Sequence, residues 1–280
     1  MIAEQLSIRK MRRADLDHAF AWSVREGWNI GTLDHDCFYR TDPNGFFLAE
    51  YDGEPIGSIS AVAYDTTFGF IGIFILRPEF RDKGYGVRLF HAALDYLGSR
   101  NIGLDGVIAQ QENYQRSGFK TAYRNVRYQG VGAGEIPVGC VPLRSLPFEQ
   151  VLAYDSRHFP VPRRKFLEGW LALPGATALG VVKDGNLTGY AMIRPCVQGQ
   201  LIAPLFADDP ATAELLFRAL SAQQPEQTIF LDVPEVNGAG IALAERNRMT
   251  PVFETARMYT GTAPDLPLDH IYGVTSYELG

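Results

Sequence analysis

Ile73-Phe-Ile-Leu-Arg-Pro-Glu-Phe-Arg-Asp-Lys-Gly-Tyr-Gly86 is the stretch on which the reading of this chain turns. Its first residues close an apolar run, Phe68–Leu76, that is bounded by Arg77-Pro78 and reads as a strand buried on both faces. Its last residues form a glycine-rich turn. Val87, Phe90, Ala93, Leu94 and Leu97 then recur at helical spacing up to Gly98. A turn between such a strand and such a helix aims several backbone N–H groups at one point above the helix N-terminus, where the helix dipole favours an anion. The spacing predicts a pyrophosphate cradle. Gly84 and Gly86 leave out the Cβ atoms that would block a phosphate oxygen, and Arg81 and Lys83 add positive charge.

The flanks predict a mixed-sheet α/β domain. Residues 6–10 read as a strand and 13–24 as a helix, and 26–43 as a loop with a short helix. Residues 46–51 and 56–64 form a hairpin about Asp52-Gly53-Glu54-Pro55, in which Gly53 can take a positive φ. After the helix come a strand at 104–109, a short helix at 113–117 stopped by Gly118, and a last strand at 119–128.

The second half repeats this order. Ala178-Leu-Gly-Val-Val-Lys-Asp-Gly-Asn-Leu-Thr-Gly-Tyr-Ala-Met lies over Phe47-Leu-Ala-Glu-Tyr-Asp-Gly-Glu-Pro-Ile-Gly-Ser-Ile-Ser, with the same Asp-Gly turn. A helix at 211–220, a strand at 230–233, a segment at 237–249 and a strand at 252–259 complete the echo. At the cradle position this half reads Ile202-Ala-Pro-Leu-Phe-Ala-Asp-Asp-Pro-Ala-Thr, without the Arg or the paired glycines, and Asp208 and Asp209 would repel a pyrophosphate. The expected domains are 1–130, which holds the cofactor, a Gly- and Pro-rich linker at 131–142, and a degenerate copy at 143–280. The closing segment from His270 to Gly280 alternates like one more strand that packs across domains.

The turn resembles the acetyl-CoA motif of the Gcn5-related N-acetyltransferase (GNAT) family, with Leu76, Pro78, Arg81, Gly84 and Gly86 in register. A second element, Tyr114-Gln-Arg-Ser-Gly118-Phe119, resembles that family's Tyr-x-x-x-Gly-Phe motif. The resemblance implies two GNAT-like domains in tandem and acetyl-CoA as cosubstrate. It also implies direct attack of an amine on the thioester, with Tyr114 protonating the departing thiolate and a backbone N–H of Phe74, Ile75 or Leu76 holding the oxyanion. The cofactor-binding set is then Phe74, Ile75 and Leu76 on the strand, with Arg81, Asp82, Lys83, Gly84, Tyr85, Gly86 and Val87 on the turn and helix start. One departure is Val107, where the family often has Asn; Gln110, Gln111 or Asn113 are the available substitutes. Glu26-Gly-Trp-Asn29 with Asp34 resembles the loop that covers the substrate in tandem members, which implies an acceptor site near Trp28, Asn29 and Asp34. The general base is unassigned among Glu26, Asp34, Asp36, Glu79 and water. The expected reaction is acetyl transfer to a small metabolite amine. Protein lysine or N-terminal acetylation and a non-catalytic CoA-binding sensor are the alternatives.

Bulk properties narrow the field. A chain of 280 residues accommodates two domains. A net charge of -6 and a pI near 5.4 argue against nucleic acid as partner. Cys37, Cys140 and Cys196 stand far apart from each other and from any histidine pair, so neither metal nor a disulfide framework is expected. The start, Met1-Ile-Ala-Glu-Gln, has no basic segment leading into an apolar core, and no apolar run is long enough to span a bilayer. A cytoplasmic monomer or homodimer is expected.

Overall fold

Two hairpin turns with matching backbones carry the internal repeat: Asp52 and Gly53 take φ of 50° and 81°, and Asp184 and Gly185 take 50° and 79°. Positive φ at both central residues is the conformation whose twist suits a tight hairpin. The computed structural model describes residues 6–280; Met1-Ile-Ala-Glu-Gln, read above for a leader, lies outside the described residues.

In the first half, β1 (Leu6–Lys10), β2 (Phe46–Tyr51), β3 (Glu54–Ala63) and β4 (Phe68–Leu76) pair antiparallel in order, with α1 (Leu16–Arg25) and α2 (Asp34–Thr41) inserted between β1 and β2. Helix α3 (Tyr85–Leu97) crosses over to β5 (Asn101–Val107), which runs parallel to β4, and α4 (Gln111–Arg116) leads into β6 (Lys120–Val131). The second half begins with β7 (Val141–Pro142), α5 (Phe148–Asp155) and α6 (Arg164–Leu171). It repeats the pattern with β8 (Thr177–Lys183), β9 (Asn186–Pro195), β10 (Gln200–Ala207), α7 (Pro210–Ser221), β11 (Thr228–Pro234), α8 (Gly238–Arg246) and β12 (Thr250–Tyr259), and adds β13 (Ile271–Gly273).

All thirteen described strands belong to one sheet, in the order β1-β2-β3-β4-β5-β12-β6-β11-β10-β9-β8-β7, with β13 paired to β10. Read from the sequence as the last strand of the first half, β6 does not follow β5. Instead β12 lies between β5 and β6, antiparallel to both, and the other edge of β6 pairs with β11. The exchange reaches the cores. Ala256 and Met258 of β12 pack with Phe47, Ile71, Leu89 and Phe119 of the first half, and Tyr128 of β6 packs with Leu205, Phe217 and Met249 of the second.

A third cluster joins the halves face to face. Trp22, Phe38, Phe46 and Ile75 meet Phe166, Trp170, Met192 and Leu279 across it. Asp34, 3% exposed, accepts from Arg194 Nε at 2.9 Å and from Nη2 at 2.8 Å, and the guanidinium lies over the Trp170 ring. Asp34 is therefore a strut between the halves and not an acceptor-site residue. The expectation failed because sequence cannot show a partner 160 residues away. Asp34→Ala leaves Arg194 buried without its partner and should destabilise the protein by about 3–5 kcal/mol, measured as a shift in the urea-unfolding midpoint.

Candidate active site

Parallel pairing of β4 with β5 runs from Phe68 opposite Asn101 to Ile71 opposite Leu104 and then stops. Beyond that point the strands part. Strand β4 departs at a bulge: Ser60 of β3 faces Gly72 and Ser58 faces Ile75, so Ile73 and Phe74 together oppose a single residue. Ile73 sits at φ +48°, a conformation strained for a β-branched residue, and its carbonyl accepts from Ser58 Oγ at 3.1 Å. The freed edge of β4 faces a cavity of about 900 Å³.

One wall of this cavity is β4 from Ile71 to Leu76 with Arg81, Asp82, Gly84, Gly86 and Val87 of the turn; the facing wall is Leu104, Val107, Gln110, Asn113 and Tyr114. The fold thus brings Phe74, Ile75, Leu76, Arg81, Asp82, Gly84, Gly86, Val87 and Tyr114 together. Lys83 and Tyr85 stand outside the lining. The Lys83 ammonium lies over the Phe80 ring, and Tyr85 packs on Tyr51 and Phe80, because the apolar cluster on the outer side of the turn takes both side chains.

The two glycines have different reasons to be glycine. Gly84 caps α3 at φ +82°. At Gly86 a Cβ would come within 3.0 Å of Leu76 Cδ1 and 3.5 Å of Phe74 Cζ, so here the close approach is that of the helix to β4. Arg81 is tethered by its Nε to the Leu76 carbonyl at 2.9 Å and by Nη2 to Glu26.

Tyr114 is held by the rings of Phe90 and Phe119, and Gly106 makes room for it: a Cβ there would lie 3.0 Å from Tyr114 Cδ2. Burial pushes the phenol up to about 12, so it stays protonated at neutral pH. Val107 offers the cavity no side-chain polar group, and beside it Asn113 Nδ2 donates to Gln110 Oε1 at 2.8 Å on the cavity wall.

Past Glu26, which meets Arg81, the other end of the cavity is lined by Trp28 and Asn29 and by Gln198, Arg127, Tyr277 and Glu278. Asn29 clasps the turn between β9 and β10: its Nδ2 donates to the Gln198 carbonyl at 2.9 Å and its Oδ1 accepts from the Gln198 N–H at 2.8 Å. The loop is stitched to the second half again by Val197 N–H to the Ile30 carbonyl at 3.0 Å. Tyr277 and Glu278 escaped the reading of the sequence because only the path of the closing segment brings them here. That segment is a strand only over β13; its remainder crosses to the first half, where the Leu279 carbonyl accepts from Tyr64 Oη at 2.8 Å.

The corresponding gap in the second half is closed. Pairing of β10 with β11 stops at Ile202 opposite Leu231, and β13 then takes up β10 at Leu205 and Phe206, with the Val274 N–H bonded to the Asp232 carbonyl of β11. Asp209 caps α7 through the Thr212 N–H at 2.8 Å, and Lys183 holds its carboxyl down at about 2. A protein carboxylate thus occupies the helix terminus. One group of possible metal ligands, His158, Asp208 and His270, lies within 4.8 Å in this half, although sequence spacing offered none; Asp208 Oδ1 there already accepts from Tyr154 Oη and Arg157 Nη2 at 2.9 Å each.

Sequence models agree with this geometry. That of the Acetyltransferase (GNAT) family matches residues 11–119, and that of the Acetyltransferase (GNAT) domain matches residues 151–273. The chain is 30% identical over 262 residues to the holothin acyltransferase of Pseudoalteromonas sp. (strain SANK 73390), covering 92% of this chain and 89% of that one. It belongs to the GNAT acetyltransferase family. This GNAT protein is also 31% identical over 125 residues, 40% of each chain, to the mycothiol acetyltransferase of Acidimicrobium ferrooxidans. A candidate acetyltransferase from Pyrococcus horikoshii has the same fold along the whole chain, with a TM-score of 0.86 at 22% identity over 100% of this chain and 98% of that one. A tandem GNAT protein from the clavulanic acid biosynthesis pathway overlays with a TM-score of 0.64 at 13% identity, over 92% and 99%. The tandem GNAT fold and the transferase class are thereby established for this chain, and among the described residues no helix is long and apolar enough to cross a membrane.

Glu26 holds one side of Arg81, so Glu26→Gln should tighten binding of an anion that needs that guanidinium by about 1.4- to 5-fold, the equivalent of ~0.2–1 kcal/mol for an exposed ion pair, read by isothermal titration with coenzyme A as the probe.

Proposed function

We propose that this protein transfers an acetyl group from acetyl-CoA directly to the amine of a small molecule. The observation that carries the proposal is the single cavity that starts at the gap between β4 and β5 and ends under the loop of Trp28 and Asn29 and the closing segment. Its first end suits a CoA arm: a strand edge that β5 leaves beyond Ile71, a helix N-terminus capped by Gly84, and Arg81 beside it. Its second end is walled by both halves, which supports an enclosed small acceptor over a peptide laid in an open groove. In this reading residues 1–130 hold the cofactor, 131–142 link, and 143–280 wall the acceptor site.

The chemistry follows from the walls. Acetyl-CoA supplies the activated acyl group. A backbone N–H of the bulged Phe74 to Leu76 segment receives the oxyanion, and the Tyr114 phenol gives its proton to the leaving sulfur. A partner that only sensed CoA would have no use for a protonated phenol set at the gap.

Isothermal titration with acetyl-CoA should give one saturable site, lost in an Arg81→Ala, Gly84→Glu double variant; absence of binding to the wild type at millimolar ligand would refute the reading. Tyr114→Phe should lower turnover about 10²- to 10⁴-fold with acetyl-CoA affinity unchanged. Acceptors are sought in a panel of amines that includes holothin, the compound for which the Pseudoalteromonas relative is named, with thiol release as the readout.

A further inference from the structure

Every carboxylate considered as a base from sequence is engaged elsewhere. Glu26 binds Arg81, Asp34 binds Arg194, Asp36 binds Arg13 and Glu79 binds Arg77. Within the cavity wall, Asp105 is tied to Arg257 by Nη2 at 2.7 Å. Glu278 is different. It lines the same cavity as Tyr114, and among the described residues it makes no ion pair.

The placement of Glu278 over the bulge is tight. A Cβ on Gly72 would fall 2.0 Å from the Glu278 carbonyl oxygen, so the closing segment lies directly on the point where β4 turns away from β5. Glu278 is half-accessible from the cavity and otherwise enclosed by protein, and this burial pushes its carboxyl up to about 7. The charged groups that face it are of both signs. Asp34 of α2 raises it further, whereas Arg194 of β9 and Arg127 of β6 lower it; Arg194 is paired with Asp34, and Arg127 with Asp232 of β11 through two contacts of 2.7 Å. Tyr277 lies beside it with its ring against Arg127. Asp105 with Arg257, Glu26 with Arg81, Arg116 and His91 stand farther along the same walls. With two ion pairs neutral behind it, the proton on Glu278 decides the charge of this end of the cavity.

We propose that Glu278 is the general base of the transfer, taking the proton from the attacking amine on the face of the acyl group that the closing segment covers. The proposal rests on the amine-transfer reading above. The amine lone pair forms the C–N bond as the carbonyl electrons move to oxygen, and the ammonium proton of this adduct passes to the Glu278 carboxylate. The oxyanion then re-forms the carbonyl, the C–S bond breaks, and the thiolate takes the Tyr114 proton. Return of one proton from Glu278 to Tyr114 through solvent restores both groups, so one amine and one thioester give one amide and one thiol. The second half of the protein then contributes a catalytic side chain and not only a wall.

The test uses the full chain, acetyl-CoA, and hydroxylamine as a nucleophile small enough for any acceptor pocket, with acetohydroxamate as product. Wild type should show a rate that rises with pH through about 7, since the base works ionised and burial raises its carboxyl to about that value. Glu278→Gln should lose that limb and about 10²- to 10⁴-fold in rate while acetyl-CoA affinity, measured by titration, stays unchanged; Glu278→Asp should recover part of the rate. Melting temperature supplies a readout free of any acceptor. A carboxyl raised from an unfolded value of about 4.3 favours the folded state at low pH, and that stability is lost as pH rises through the folded value. Gln cannot ionise, so Glu278→Gln should melt higher than wild type at pH 8, with the gap narrowing toward pH 5. Transfer by Glu278→Gln within a few-fold of wild type would overturn the base assignment and leave the amine-transfer reading standing. A wild type that neither binds acetyl-CoA nor forms hydroxamate would overturn that reading and the base together.

Discussion

The ladder of β12 between β5 and β6 is the constraint on which the rest of the molecule depends. Because β12 arrives from the second half and β6 leaves from the first, each half completes its core with a strand the other supplies. Separating the halves would break the ladders β5–β12 and β6–β11 and uncover two buried ion pairs at the exchange, Arg257–Asp105 and Arg127–Asp232. It would also expose to water the apolar side chains that each half packs into the other's core. The two repeats are thus one cooperative body, and the cavity between them has walls that cannot drift apart without unfolding.

The same topology explains why two similar halves come to differ in what they can hold. Each has a parallel strand pair that parts after a few residues, β4 from β5 and β10 from β11, and at each parting the departing strand bulges against the preceding one. Two short pieces of chain close the second gap: Asp209 takes the helix terminus, and β13 takes the strand edge. About five residues beyond β13 the chain reaches Gly72 on the far side of the exchange. Closing one gap and flooring the other are consecutive acts of a single segment.

Much of this was legible in the sequence. Strands β1, β2 and β4 fall on the predicted residues, because apolar runs bounded by turn residues constrain them locally, and the two Asp-Gly hairpins take the expected positive φ. Phe74, Ile75, Leu76, Arg81, Asp82, Gly84, Gly86, Val87 and Tyr114 line one cavity, whereas apolar neighbours draw the Lys83 and Tyr85 side chains outward. Whatever depends on non-local pairing was not legible. Period-2 alternation in β6 says which residues face a core but not which strands flank it, so the exchange with β12 leaves no mark in the sequence. The buried partner of Asp34 and the arrival of Glu278 at Gly72 are hidden for the same reason.

The local irregularities that sequence rules do not favour gather at one place. Ile73 holds a positive φ, Gly72 admits a backbone where any side chain would collide, and Glu278 is enclosed without an ion pair among the described residues. Each costs folding free energy by itself, and each would be relieved by an ordinary substitution or a straight strand. Around them the structure is conservative, with paired arginines, stacked aromatics and capped helices. Strain and an unpaired carboxyl concentrated on one side of a cavity, in a framework otherwise built to remove them, are features that gather where a fold gives up stability for function.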